Sequence, residues 1–510
     1  MVASNTESAS FAVALPNETA TERLAAFVAD ALLPGDVVTL SGDLGAGKTT
    51  FARALIRHLA ADKSLSVPSP TFTLLQSYDT ARFPVAHADF YRLREPAELA
   101  ELGLDDLPEG TVLLIEWPER AAAALPRERL DVALTLALQS GPEHRRAQIT
   151  GSGELEERAK RLVRIWDFLQ AAGFADAERR RMQGDASTRS YDRLTLAGRT
   201  AILMNAPRRP DGPPVRHGKP YSAIAHLAED VKPFVAIARA LRQRGFAAPE
   251  IFHADLDAGL LLLEDLGTEP IVGIAPPAPI PERYAVAVDV LVALHGQKVP
   301  PVLPLSPGND YRIPHYDEDA FLIEAELLLD WYLPHRDRPV AENMREEFAA
   351  LWRTALQPAI EDGSTWVLRD YHSPNLLWLP ERAGIARIGL LDFQDAVMGP
   401  AAYDLSSLLQ DARVDVPESL EATELGRYLE LRRSVDRSFD ATAFQALYAT
   451  LAAERATKIL GIFARLDRRD GKPQYLRHMP RVWAYLNRAL AHPALVALRA
   501  WYGRHVPAPP

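Results

Sequence analysis

The 510-residue chain contains no cysteine. Disulfides, thiolate zinc sites and cysteine nucleophiles are therefore excluded. Long hydrophobic runs are missing as well. Apolar stretches such as 111–115 and 259–263 fall far short of the ~20 residues that a membrane-spanning helix needs. Residues 1–11 lack a basic start followed by an apolar segment, so no secretory signal and a cytoplasmic location are expected. Positive charge is in deficit: 57 Lys and Arg stand against 68 Asp and Glu, a net charge of −11. Within residues 1–150 the count is 13 against 20. Contacts to nucleic-acid phosphates need a basic surface, so no strong direct nucleic-acid binding is expected.

What remains is an ordinary globular composition, 47% hydrophobic and 25% charged. The length suits about three structural units at roughly 100–200 residues per domain. Residues 37–40 (VVTL) read as a buried strand. Residues 49–59 read as a helix, with Phe51, Leu55, Ile56 and Leu59 on a helical period. Residues 87–91 and 112–115 are further strand candidates, the second ending at Glu116. Strands mixed with one or two helices predict a small α/β domain. A polar stretch at 139–153, with Ser140-Gly141-Pro142 and Gly151-Ser152-Gly153, breaks the pattern and suggests a boundary between domains 1–150 and 155–510. A charged helix is expected over 156–170, then α/β structure to about residue 266. Mostly helical structure follows, interrupted by a strand–loop–strand stretch over 366–393. The Pro-rich segments 270–281 and 299–307 read as surface loops.

The spacing Gly42-x4-Gly47-Lys48-Thr49 meets the phosphate-binding P-loop pattern, between a strand and a helix. Its glycines let backbone N–H groups turn inward around phosphate oxygens, and the helix N-terminus adds a positive dipole end. Lys48 would reach the β/γ-phosphates of a nucleotide and Thr49 would hold Mg²⁺. Gly42, Gly45, Gly47, Lys48, Thr49 and Thr50 are the nucleotide-binding candidates. An NTPase also needs a carboxylate at its metal, and Asp89 and Glu116 lie within or at the end of strands.

Five pieces carry a resemblance here: the loop 42–49, Ser69-Pro70-Thr71-Phe72, Tyr78, His87-Ala88-Asp89-Phe90-Tyr91-Arg92-Leu93, and Ile115-Glu116-Trp117-Pro118-Glu119. Together they resemble the TsaE (YjeE) family, the ATPase subunit of bacterial threonylcarbamoyladenosine tRNA modification. The resemblance implies Asp89 and Glu116 as metal-linked or catalytic carboxylates and Thr71 as a switch-like residue near the γ-phosphate. It also implies slow ATP hydrolysis that resets a complex with TsaB/TsaD-type partner subunits.

A second constellation lies downstream. Leu368-Arg369-Asp370-Tyr371-His372-Ser373-Pro374-Asn375 contains Asp-x4-Asn, and Leu391-Asp392-Phe393 follows. A loop Asp and Asn followed by a strand-end Asp is the arrangement of kinase-type phosphoryl transfer. Asp370 would accept the proton of the attacking hydroxyl, with Asn375 and Asp392 holding Mg²⁺ on the phosphates of ATP. Upstream, Gly184-Asp185-Ala186-Ser187-Thr188-Arg189 could cover those phosphates through Gly184, Ser187 and Arg189. The run 260–267 (LLLLEDLG) ends a buried strand as a kinase hinge does, and Glu264 and Leu266 could hold adenine.

These residues resemble the aminoglycoside-phosphotransferase family of small-molecule kinases, and within it the anomeric N-acetylmuramate/N-acetylglucosamine kinases of cell-wall recycling. Further matching pieces are Ile202–Pro207, Tyr316-Asp317, Trp331-Tyr332-Leu333, Tyr403-Asp404-Leu405 and a run from Lys458 to Leu466. The resemblance implies an α+β bilobal, protein-kinase-like domain, with an N-lobe at about 155–266 and a C-lobe at about 267–510, that phosphorylates the anomeric hydroxyl of an amino sugar. Two positions depart from the wider pattern: Leu368 replaces a frequent histidine, and Met204 stands near an expected phosphate-clamping lysine, which leaves Arg189 or Lys219 to supply the charge. Asp404 fits a brace for the catalytic loop better than a substrate ligand. Trp331 and Tyr332 fit core packing better than sugar stacking. Two alternatives stay open: an N-terminal domain that is a nucleotide-dependent regulatory module, and a kinase whose acceptor is choline, homoserine or an aminoglycoside.

Overall fold

The computed structural model describes residues 10–93, 98–99, 102–182, 189–208 and 212–509. Two compact units emerge: Met1–Asp185 with Tyr191–Thr200, and Ala186–Ser190 with Ala201–Pro510.

The first unit is built on a seven-stranded mixed sheet. Its strands are β1 (Ser10–Leu15), β2 (Val37–Ser41), β3 (Leu75–Tyr78), β4 (Val85–Asp89), β5 (Val112–Glu116), β6 (Leu130–Leu136) and β7 (Arg145–Gly151), in the order β1-β7-β6-β2-β5-β4-β3. Strands β6, β2, β5 and β4 run parallel; β7 and then the edge strand β1 add antiparallel on one side, and the edge strand β3 on the other. Both faces of a central parallel strand are covered, so β2 and β5 are largely apolar runs, and almost every residue of β2, β4 and β5 is buried. Helices α1 (Glu18–Ala31) and α2 (Lys48–Leu59) bury Leu24, Val28, Phe51, Leu55 and Ile56 in the same core as Val38, Leu40, Leu114 and Val132.

Residues 145–151, read from sequence as part of a polar break, are strand β7. Arg145, Arg146 and Gln148 are polar but alternate with the buried Ala147 and Ile149, which is the pattern of a sheet with one wet face. The charged helix expected over 156–170 runs from Glu154 to Ala171 as α3. Its buried face, Leu155 and Ala159, joins the first unit's core. Arg158 pairs with Asp36 through two 2.6 Å bonds, and Trp166 meets Phe27 edge-on with ring centroids 5.3 Å apart. The antiparallel pair β8 (Glu178–Arg181) and β9 (Ser190–Leu196) follows. The first unit therefore extends beyond residue 150.

In the second unit, Ile202–Asn205 and Ile251–Asp255 flank Leu260–Leu263 in antiparallel register, with the helix Lys232–Gln243 between them in sequence. The short strands Thr365–Val367 and Val397–Gly399 pair with each other, as do Leu376–Trp378 and Ile388–Leu390. Helices make up most of the rest, including the 30-residue Ala441–Asp470. The 299–307 segment is not simply a loop. Val302–Ser306 pairs with Asn309–Arg312 as a hairpin. Pro304 stands on an edge strand, where its missing N–H costs no ladder bond.

Candidate active sites

In open α/β sheets, ligands bind outside the carboxyl ends of the parallel strands. The P-loop leaves β2 at that end. Asp89 closes β4 and Glu116 closes β5, and their Cα atoms are direct partners across the two strands. Gly42, Gly45 and Gly47 have φ of +132°, +81° and +105°. Gly42 is also sterically obliged, because a Cβ there would lie 2.0 Å from the Leu134 carbonyl oxygen. Gly47 caps α2 without a side chain, which leaves the first helical N–H groups open to an anion.

Four of the predicted residues meet in pairs. Thr49 Oγ1 donates to Glu116 Oε2 at 2.9 Å. Thr71 Oγ1 donates to Asp89 Oδ2 at 3.2 Å, and Ser69 donates to the same oxygen at 2.6 Å. The other Asp89 oxygen accepts the Tyr91 amide at 2.9 Å. The segment 69–71 is thereby tied to the end of β4. Lys48 donates to the carbonyls of Gly42 and Asp43 at 2.7 and 2.9 Å, and its ammonium sits 3.6 Å from the centroid of Trp117. Burial lowers the Lys48 pKa, opposed by the charges of Glu116, Glu119, Asp89 and Asp43. Thr50 follows in the first turn of α2, half-buried.

Two participants carried no assigned role in the sequence reading. Fully buried His87 lies 3.0 Å through Nε2 from Glu116 Oε1, so both oxygens of Glu116 are engaged. Trp117 takes a left-handed φ of +60° directly after Glu116. Strand alternation could have found the first, since residues 87 and 89 share one face of β4.

In the second unit, Asp370 and Asn375 share one loop. Asn375 Nδ2 donates to the Asp370 carbonyl at 3.0 Å, and the Asn375 carbonyl accepts from Leu391 N at 3.0 Å. This last bond links the loop to the residue before Asp392. Asp392, at φ +56°, accepts from Gln394 Nε2 at 2.8 Å and Arg189 Nη1 at 3.2 Å on one oxygen. Enclosure alone would raise the Asp370 pKa, but the His372 ring 3.7 Å away and the charges of Lys458 and Arg369 hold the carboxyl well below the usual range. Burial and the neighbouring Asp370 charge push Asp392 upward, with Gln394 and Arg189 opposing. Asp404 accepts from the amides of Leu368 and Arg369 at 2.6 and 2.9 Å, as a brace would.

Of the candidates for the missing phosphate clamp, Arg189 lies at Asp392, whereas Lys219 is exposed on a short hairpin opposite Arg216. Met204 is buried. Gly184 and Ser187 lie outside the described residues. The Glu264 amide is committed to the Glu250 carbonyl at 2.8 Å, and its carboxylate holds Arg242 and Arg382, which leaves only its carbonyl for a base. Leu266 forms a small apolar cluster with Ala247 and Leu379, against which Leu377 and Leu391 pack. Tyr332 is buried and donates to the Pro507 carbonyl at 2.8 Å, a core role rather than a sugar platform.

Both sites suit nucleotide and metal chemistry. The first offers inward-turning glycines, Lys48 and a Thr49–Glu116 pair. The second offers hard oxygen donors in Asp392 and the amide oxygen of Asn375, which suit Mg²⁺. No helix among the described residues is long and apolar enough to cross a membrane.

Comparison with known proteins agrees with this division. The family model of the threonylcarbamoyl adenosine biosynthesis protein TsaE matches residues 15–147, and that of the phosphotransferase enzyme family matches residues 178–444. An N-acetylmuramate/N-acetylglucosamine kinase of Caulobacter vibrioides is 42% identical over 353 residues, covering 67% of this chain and 95% of the relative. One of Pseudomonas aeruginosa is 33% identical over 313 residues, covering 60% and 82%. A tRNA threonylcarbamoyladenosine biosynthesis protein TsaE of Rickettsia felis is 40% identical over 160 residues, covering 31% and 86%. The chain belongs to the TsaE family through its N-terminal part and to the phosphotransferase enzyme family through the rest, and is a kinase joined to a TsaE domain.

Proposed function

We propose that the chain is bifunctional. Its N-terminal domain is the ATPase subunit of tRNA N6-threonylcarbamoyladenosine modification, working with TsaB/TsaD-type partners in the cytoplasm. Its C-terminal domain transfers the γ-phosphate of ATP to the anomeric hydroxyl of N-acetylmuramate or N-acetylglucosamine. The functional boundary falls between residues 150 and 155, in keeping with family matches that end at 147 and begin at 178.

For the kinase, the observation that carries the reading is the Asp370–Asn375–Asp392 arrangement in a chain 42% identical to an amino-sugar kinase over 95% of that protein's length. Asp370 takes the proton of the sugar hydroxyl. The freed oxygen forms a bond to the γ-phosphorus, the bond from that phosphorus to the β–γ bridging oxygen breaks, and ADP leaves. An ionised Asp370 at neutral pH suits a proton acceptor. Arg189 steadies the phosphates in place of the lysine that Met204 cannot supply. Asn375 and Asp392 would hold Mg²⁺, which neutralises phosphate charge.

For the ATPase, the Thr49–Glu116 and Thr71–Asp89 pairs support the assigned roles. The P-loop holds the phosphates, Thr49, Asp89 and Glu116 serve the metal and water, and Thr71 reports the γ-phosphate to Asp89. The test is phosphate transfer by the full chain across amino sugars, amino alcohols and aminoglycosides. Turnover of the amino sugars is expected, and turnover only of another class would overturn the acceptor assignment.

A further inference from the structure

The carboxylate of Glu324, in the helix Glu318–Ala325, is fully buried. One oxygen accepts from Arg369 Nη2 and lies 2.7 Å from Lys458 Nζ. The other accepts from the Tyr316 hydroxyl. Arg369 is only 3% exposed, and both its terminal nitrogens, its amide and its carbonyl are bonded. Its second terminal nitrogen donates to the Ala225 carbonyl at 2.7 Å and its amide donates to Asp404 at 2.9 Å. Its carbonyl accepts from Ser407 Oγ at 3.3 Å. The residue has φ +66°. A left-handed arginine is strained and persists only where its surroundings over-determine it. The next residue is Asp370.

A buried ion pair seldom adds stability over a well-packed apolar pair, and its better attested use is to specify one geometry. Here the geometry specified is a strained turn immediately before Asp370. Tyr316 stacks on Phe321 with centroids 3.7 Å apart, which holds the helix of Glu324 in place. Lys458 comes from the long helix Ala441–Asp470 and also donates to Tyr403 at 3.3 Å.

We infer that Glu324 is a positioning residue for Asp370 and acts through Arg369. The inference rests on Asp370 being the proton acceptor.

The test compares Glu324→Gln, Glu324→Asp, Arg369→Gln, the Glu324→Gln/Arg369→Gln double variant and Asp370→Asn in the full chain. Sugar phosphorylation is measured per folded chain, with folding followed by near-UV circular dichroism and melting. Glu324→Gln is expected to lower kcat about 10-fold or more while the KM for ATP changes less than about 2-fold, and Glu324→Asp to recover part of the loss. Because the effect runs through Arg369, adding Glu324→Gln to Arg369→Gln should change kcat by less than about 2-fold. Wild-type kcat in folded Glu324→Gln, or a second full loss in the Arg369→Gln background, overturns the inference. Where Glu324→Gln does not fold, the comparison of Arg369→Gln with the double variant decides alone. A fully active Asp370→Asn variant sinks the reading of Asp370 instead, and the inference with it.

Discussion

The hydroxyl of Thr49, the last residue of the P-loop, donates to Glu116 at 2.9 Å. Two residues 67 positions apart are joined because β2 and β5 are neighbouring parallel strands that end at the same edge. Glu116→Ala should therefore lower nucleotide hydrolysis by the first unit about 100-fold or more. Phosphate release in an Asp370→Asn background, where the kinase is silent, checks this.

Lys48→Ala should abolish hydrolysis at the first site and leave sugar phosphorylation intact, since Lys48 and Asp370 belong to different units. Asp370→Asn should do the reverse. Each loss is expected at about 100-fold or more. Parallel assays of phosphate release and sugar phosphate separate the two, and loss of both activities in Lys48→Ala would show coupled sites.

Arg189→Met should raise the KM of the kinase for ATP. A charge-assisted bond is worth ~1.5–3 kcal/mol, or about 10- to 100-fold in affinity. Arg189→Lys should recover part of it. Steady-state kinetics with varied ATP measure the effect.

Gly42→Ala should destabilise the first unit. The added Cβ meets backbone rather than a yielding side chain, at 2.0 Å from Leu134 O, and the φ of +132° is one that L-residues avoid. A cost of at least ~1–3 kcal/mol is expected from strain of this kind, read as a lower melting temperature and loss of nucleotide binding.

Glu454 carries a pH dependence. Burial, then the charge of Glu324, pushes its pKa to about 8, and neither of its carboxylate oxygens has a hydrogen-bond partner among the described residues. A carboxyl raised in the folded state binds its proton more tightly there than when unfolded, so its stabilising contribution is complete below the unfolded value near 4.5 and is lost as pH rises through about 8. Glu454→Gln should flatten this. The melting temperature of the wild type should fall relative to the variant between about pH 5 and 9, as measured across buffers of constant ionic strength.

Much of the geometry at both candidate sites was legible in the sequence. The P-loop, the strand-end carboxylates and the Asp-x4-Asn loop are local patterns whose geometry follows from a few consecutive residues. The strands 37–40 and 112–115 were legible because central parallel strands are apolar on both faces. β7 was missed because an antiparallel outer strand shows only alternate apolar residues, and Arg145, Arg146 and Gln148 mask that alternation. The strand Val302–Ser306 was hidden by Pro304 within it and by Pro300, Pro301 and Pro307 around it. The Glu324–Arg369–Lys458 cluster joins three distant segments, so no sequence spacing could have brought it to light. The contact of His87 with Glu116 was within reach of the period-2 argument, because His87 and Asp89 stand on one face of β4.

An amino-sugar kinase with Asp370 as its proton acceptor is what we propose for the larger part of the chain. The most direct measurement is phosphorus NMR of the full chain with ATP, Mg²⁺ and N-acetylmuramate or N-acetylglucosamine, run beside Asp370→Asn. A sugar 1-phosphate signal that grows with ADP in the wild type and is absent from the variant over the same period is expected. No sugar phosphate from either substrate, or an equal yield from Asp370→Asn, would contradict it.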